Sequence, residues 1–78
     1  MSPEAAFGEV LRRHRLRAGR SQEWLAGAAG LDRTYISLLE RGLRKPTLNT
    51  VLKLAHALDA TASEMVREVV TRLEGQED

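Results

Sequence analysis

Ser21 to Pro46, SQEWLAGAAGLDRTYISLLERGLRKP, is the stretch whose reading decides the fold. Ser21 is a natural helix cap, because its hydroxyl oxygen can accept a bond from one of the free amides that open a helix. Gln22 to Ala29 follows with Leu25, Ala26 and Ala29 as small or apolar inward residues that allow close approach. Gly30 ends this helix, as the residue best suited to a left-handed backbone. Asp32 then caps a second short helix, Arg33 to Arg41, in which Ile36 and Leu39 face inward, and Gly42 closes it. The stretch predicts two short helices joined by a glycine-bearing turn, with polar residues opening the second and a basic loop after it.

Working outward, Ser2 followed by Pro3 and Glu4 marks the start of a helix that runs to about Ala18 and stops at Gly19. Phe7, Leu11 and His14 share its core face, whereas Arg12, Arg13 and Arg17 make the other side cationic. After Pro46, Thr47 caps a helix over residues 48–58, and Leu48, Val51, Leu52, Ala55 and Leu58 are its expected core stripe. Thr61 and Glu64 have the spacing of a capping box for a helix over 62–73, with Ala62, Met65, Val66, Val69, Val70 and Leu73 along one side. The tail, 75–78, is polar and expected to fray. No window alternates with period two, so residues 1–78 read as one compact all-α domain of five helices, over about 3–18, 22–29, 33–41, 48–58 and 62–73.

Composition narrows the function. A chain of 78 residues supports one small core, with a margin of roughly 3–5 kcal/mol, so any activity must use the surface. With no cysteine there is no disulfide framework and no thiolate zinc site, and His14 and His56 are too few for a metal cluster. No apolar run approaches the ~18 residues of a membrane span, and the N-terminus lacks the regions of a signal peptide, so the expected setting is the cytoplasm with no membrane partner. The formal charge of +1 hides an asymmetry. Residues 1–46 carry nine Arg/Lys against five Asp/Glu (+4), whereas 47–78 carry three against six (−3). The first half suits phosphates and the second would avoid them.

Two short helices in this arrangement have the form of a helix-turn-helix, whose second helix can enter the DNA major groove. Arg33, Thr34 and Ser37 lie on the first turns of that helix, opposite Ile36 and Leu39, and project together. Arg33 can donate two bonds to guanine O6 and N7, worth ~1–3 kcal/mol of discrimination, and Thr34 can meet a base by its hydroxyl or a thymine by its methyl. Leu38 also falls toward the groove side. The competing reading is an ordinary solvated helix start.

The pattern Phe7-Gly8, Leu11 and Arg15, then Gly19-x-Ser21-Gln22-Glu23-x-Leu25-Ala26, Gly30-Leu31, Tyr35-Ile36-Ser37, Glu40-Arg41-Gly42, Pro46-Thr47-Leu48 and Leu52-x-Leu54-Ala55-x-Ala57-Leu58 resembles the lambda-repressor-like, XRE-type helix-turn-helix family. The match runs through nearly the whole chain. Within the family, LDRTYIS followed by ERG looks like the controller proteins of restriction-modification systems. The resemblance implies a five-helix domain that binds operator DNA as a dimer, with Arg33, Thr34 and Ser37 reading bases. It implies that Gln22 binds a phosphate with the amides at its helix end, that Tyr35 meets the sugar-phosphate backbone or covers the core edge, and that Arg44, Lys45, Asn49 and Thr50 grip the other flank of the half-site. Arg15 and Glu40 take positions that pair in this family as a bracing ion pair. His14, Arg20 and Trp24 depart from the pattern. Trp24 is expected to be partly exposed on neighbouring aliphatic stems, His14 to be packed in the core, and Arg20 to leave an open corner or a further phosphate contact.

The far end of the last helix extends beyond easy reach of the other four. Met65, Val66, Val69, Val70 and Leu73 are therefore the expected homodimer interface, with help from the end of the fourth helix; the alternative is a helix end folded back on its own core. Two-fold symmetry would set the recognition helices ~34 Å apart, on a pseudo-palindromic operator. RNA polymerase is a candidate partner of the acidic second half by charge alone. The competing class is an antitoxin-like or adaptor module whose apolar strip holds another polypeptide. No nucleophile with a base, metal cluster or cofactor motif emerges, so an enzyme is not expected.

Overall fold

The computed structural model describes residues 1–75, and the remainder of the expected frayed tail lies outside the described residues. Five helices follow one another: α1 Pro3–Arg17, α2 Gln22–Ala29, α3 Arg33–Glu40, α4 Leu48–Ala57 and α5 Ala62–Glu74. Every start is set by an oxygen cap. Ser2, Ser21, Asp32, Thr47 and Thr61 accept from the amides of Ala5, Trp24, Thr34, Thr50 and Glu64 respectively. At α5 only this half of the expected capping box forms, because the Glu64 side chain makes no return bond among the described residues.

The ends of α1 to α4 are set by left-handed turns. Gly30, with φ 68°, lets the Leu31 amide turn back to the Ala26 carbonyl at 2.8 Å, which aims the chain into α3. The same reversal after α4 is made by Asp59 at φ 55°, with Ala60 N donating to Ala55 O at 2.9 Å.

The core gathers Phe7, Val10 and Leu11 from α1, Leu25 and Ala26 from α2, Ile36 and Leu39 from α3, Val51, Leu54 and Ala55 from α4, and Met65 from α5. α1 packs on both α3 and α5, so it forms the spine against which the two-helix unit and the last helix are set. Gly8 makes the α1–α3 approach possible: a Cβ there would stand 2.5 Å from Leu39 O and 2.6 Å from Glu40 O.

Two expectations about the core are corrected. On α4 the inward face is Thr50, Val51, Leu54 and Ala55, whereas Leu48 is 73% exposed and Leu52 49% exposed. The apolar residues of this helix form two overlapping faces, and packing against α2 and α5 selects the one centred on Leu54. Met65, expected at a dimer interface, is wholly buried in the chain's own core and is withdrawn from that surface. Val69 packs partly against the core, which leaves Val66 (47%) and Val70 (44%) as the strongly exposed members of the α5 strip.

Two long-range polar contacts fasten α5 to α1. The His14 ring Nε2 lies 3.1 Å from each carboxylate oxygen of Glu68, and Arg72 Nε donates to Glu9 Oε1 at 3.2 Å. His14 is thus both buried and satisfied by a partner 54 residues away.

Candidate nucleic-acid interface

Ile36 and Leu39 are completely buried, and this fixes the rotation of α3 about its own axis. The opposite side then presents Arg33 and Thr34, both exposed, with the partly buried Ser37 and Leu38 one turn on. Neither Arg33 nor the Thr34 side chain makes a hydrogen bond or ion pair among the described residues, so their donors are available to a ligand. The Asp32 cap accepts the Thr34 amide at 2.7 Å, which leaves the amides of Arg33 and Tyr35 free at a helix start that favours anions. Tyr35 packs its ring against the core edge, and its hydroxyl has no partner among the described residues.

The start of α2 is held by a buried polar network. Arg15 Nε donates to Glu40 Oε2 at 2.6 Å and its second terminal nitrogen to Glu40 Oε1 at 2.9 Å, a two-pronged pairing that suits the planar guanidinium. Its remaining terminal nitrogen donates to the Arg20 carbonyl at 2.7 Å, just ahead of the α2 cap. Gln22 Nε2 completes the set by donating to Glu40 Oε1 at 3.0 Å. The hydrogen bonds to Glu40 raise the Arg15 pKa above its ordinary value, burial opposes the rise, and the Glu40 charge adds to it. Arg15 and Glu40 together therefore tie α1, the loop before α2, the first residue of α2 and the end of α3.

Gln22 is consequently an oriented residue whose side chain is partly engaged. The free amides of Gln22 and Glu23 at the helix start, beside the second Nε2 hydrogen of Gln22, form the set of donors that could face a phosphate. Arg44, Lys45 and Asn49 are exposed on and after the α3–α4 loop, with Arg44 donating one bond to the Leu43 carbonyl at 2.9 Å. Thr50 is corrected. It is 7% exposed and its hydroxyl accepts from Thr47 Oγ1 at 3.0 Å, so it helps set the α4 cap and is withdrawn from the backbone-contacting residues.

Trp24, 36% exposed, lies beneath Arg20, whose guanidinium carbon is 4.2 Å from the ring centroid. The cation stacks on the indole face. Among the described residues, no group of three or more His, Cys, Asp or Glu side chains is placed to hold a metal ion. No helix among them is long and apolar enough to cross a membrane.

A family profile described as a helix-turn-helix domain matches residues 6–68. The control protein C.BamHI of Bacillus amyloliquefaciens is 39% identical over 61 residues, covering 77% of this chain and 75% of that relative. The restriction-modification controller protein C.AhdI from Aeromonas hydrophila is similar in structure, with a TM-score of 0.77 and 48% identity over 78% of this chain and 92% of its own. The clp gene regulator ClgR from Corynebacterium glutamicum superposes with a TM-score of 0.92 at 28% identity, over 97% of this chain and 81% of its own. With a match that spans α2, the turn and α3 together with most of the remaining helices, the chain belongs to the helix-turn-helix domain family.

Proposed function

We propose that the protein is a non-enzymatic, sequence-specific DNA-binding transcriptional regulator that acts in the cytoplasm as a homodimer on a pseudo-palindromic operator. Its likeness to C.BamHI and C.AhdI supports the narrower reading of a restriction-modification controller protein. The observation that carries the proposal is the exposure of Arg33 and Thr34, without partners among the described residues, on a helix whose other side is locked into the core through Ile36 and Leu39.

In this reading α3 enters the major groove. Arg33 forks onto a guanine, Thr34 and Ser37 contact neighbouring bases, and the start of α2 at Gln22 sits on a phosphate. Tyr35, Arg44, Lys45 and Asn49 hold the backbone on the flanks. Val66, Val69, Val70 and Leu73 meet their copies across a two-fold axis, which sets the recognition helices about one DNA turn, ~34 Å, apart. Bound dimer represses by occluding RNA polymerase, and the acidic second half is the surface offered to polymerase where the effect is activation. The same strip held by a different polypeptide is the adaptor reading, and it predicts a monomer in the absence of that partner.

Selection of bound duplexes from a random pool, at near-physiological salt with excess non-specific competitor, tests the proposal. The expected product is a two-fold symmetric motif with half-sites one turn apart. Folded protein that recovers no motif would refute it.

A further inference from the structure

We propose that the outward face of α1 is a second phosphate-binding surface for the DNA backbone, made by Arg12, Arg13 and Arg17 and resting on the DNA-binding reading above. These three side chains line an open groove of about 740 Å³ together with Leu16, Glu9 and Glu40. Both carboxylates of the groove are already neutralised. Glu9 accepts from Arg72 at 3.2 Å, and Glu40 accepts from Arg15 at 2.6 and 2.9 Å. The three guanidiniums, in contrast, make no ion pair or hydrogen bond among the described residues. The groove therefore presents three uncompensated positive charges to solvent.

Its position ties this charge to the candidate interface. Glu40, at one wall of the groove, holds Gln22 at the first residue of α2, so the cationic face adjoins the helix start whose free amides suit a phosphate. All three residues are arginines, whose planar forks match phosphate oxygens in pairs. From Arg13 to Arg17 the helix rises about 6 Å. A DNA strand carries one charge about every 3.4 Å of axis, so the row spans successive phosphates of one strand. Leu16, 52% exposed among them, offers an apolar contact to the intervening sugars. An acidic protein surface would also meet the charge, but continuity with the α2 start favours a duplex.

The test compares wild type with the Arg12→Gln/Arg13→Gln/Arg17→Gln variant on the selected operator, measuring affinity against salt concentration. Each phosphate that the variant no longer neutralises lowers the slope of log affinity against log salt by ~0.9, so a dimer that gives up even one per protomer falls by ~1.8. The affinity advantage of wild type then shrinks roughly 12-fold between 50 and 200 mM salt, with the selected motif unchanged because phosphates carry no sequence information. The triple lysine variant is expected to restore the slope. Matching melting curves verify that the glutamine variant is folded, as substitution at three exposed positions should allow.

A glutamine variant with the wild-type slope overturns the inference while leaving the regulator reading intact, provided wild type still selects its motif. An unchanged slope accompanied by loss of RNA polymerase binding overturns it in favour of an acidic protein partner. If wild type selects no motif, the regulator reading fails and the inference falls with it.

Discussion

Gly8 and Gly27 both lie inside helices, and the structure assigns opposite signs to the same substitution at the two positions. Helix propensity alone gives alanine an advantage of about 0.5–1 kcal/mol over glycine at either site. At Gly27 nothing lies within 4 Å of the added Cβ, so Gly27→Ala should collect that advantage and raise the melting temperature by roughly 2–8 °C. At Gly8 the Cβ would meet two backbone oxygens, Leu39 O at 2.5 Å and Glu40 O at 2.6 Å. An ordinary carbon–oxygen contact is about 3.3 Å or longer, so α1 and α3 must part by ~0.7–0.8 Å. A gap of that size forfeits a quarter to a half of each dispersion contact across the interface, on the order of 1–2 kcal/mol for a few tens of atom pairs. It also stretches the 2.6 and 2.9 Å bonds from Arg15 to Glu40, and weakening charge-assisted bonds costs about another 1–2 kcal/mol. The clash outweighs propensity, and Gly8→Ala should lose about 2 kcal/mol net, or roughly 8–16 °C. Thermal melts of the two single variants beside wild type measure this directly. A Gly8→Ala protein as stable as Gly27→Ala would show that the α1–α3 spacing is not fixed by this contact.

Glu40→Ala leaves the Arg15 guanidinium buried without its carboxylate and should cost about 3 kcal/mol in urea unfolding, whereas the Arg15→Met/Glu40→Leu pair should recover most of it; additive losses would deny the coupling. Asp59→Gly relieves a non-glycine residue at φ 55° and should stabilise by about 0.5–1 kcal/mol in the same assay, a gain that a neutral or destabilised variant would contradict. Arg33→Ala should relax sequence preference by ~1–3 kcal/mol at one base pair while Lys45→Ala weakens all duplexes alike, and equal losses on specific and competitor DNA would remove Arg33 from the base readers. Val66→Asp/Val70→Asp should reduce the light-scattering mass to that of one chain, 8.7 kDa, and an unchanged dimer mass would place the interface elsewhere.

Helix boundaries are legible in the sequence to within about one residue because each start carries an oxygen cap and most ends a left-handed glycine, signals that act locally. The rotation of α4 is not. Val51, Ala55 and Leu58 belong to two overlapping apolar stripes, one completed by Leu48 and Leu52 and the other by Leu54, and periodicity cannot choose between them. The choice is made by α2 and α5, which are distant in sequence. Thr50 departs from expectation for a related reason: the family resemblance places it on the DNA flank, while its buried hydroxyl bonds within its own cap. The His14–Glu68 contact bridges helices at opposite ends of the chain and has no local signature at all. On the candidate interface, the exposure of Arg33 and Thr34 can be read from their position after Asp32, but the engagement of Gln22 by Glu40 emerges only in three dimensions.

That engagement links stability to recognition. Glu40 stands at the end of α3, Gln22 at the start of α2 and Arg15 in α1, so one carboxylate fixes the relative placement of three helices at once. A buried ion pair commonly adds little net stability over an apolar replacement, because desolvation offsets the attraction. Its worth here lies in geometry. Two bonds from a planar guanidinium and one from a carboxamide define the carboxylate's position far more narrowly than a leucine contact would, and the α2 start and the proposed reading face of α3 share that anchor. Phosphate contacts fix the register in which side chains meet bases, so under the proposed function a shift of α2 against α3 would misplace Arg33 even with every residue of α3 intact. An apolar substitute for the pair can therefore restore the melting temperature and still lose discrimination between operators, which separates what holds this domain together from what aims it.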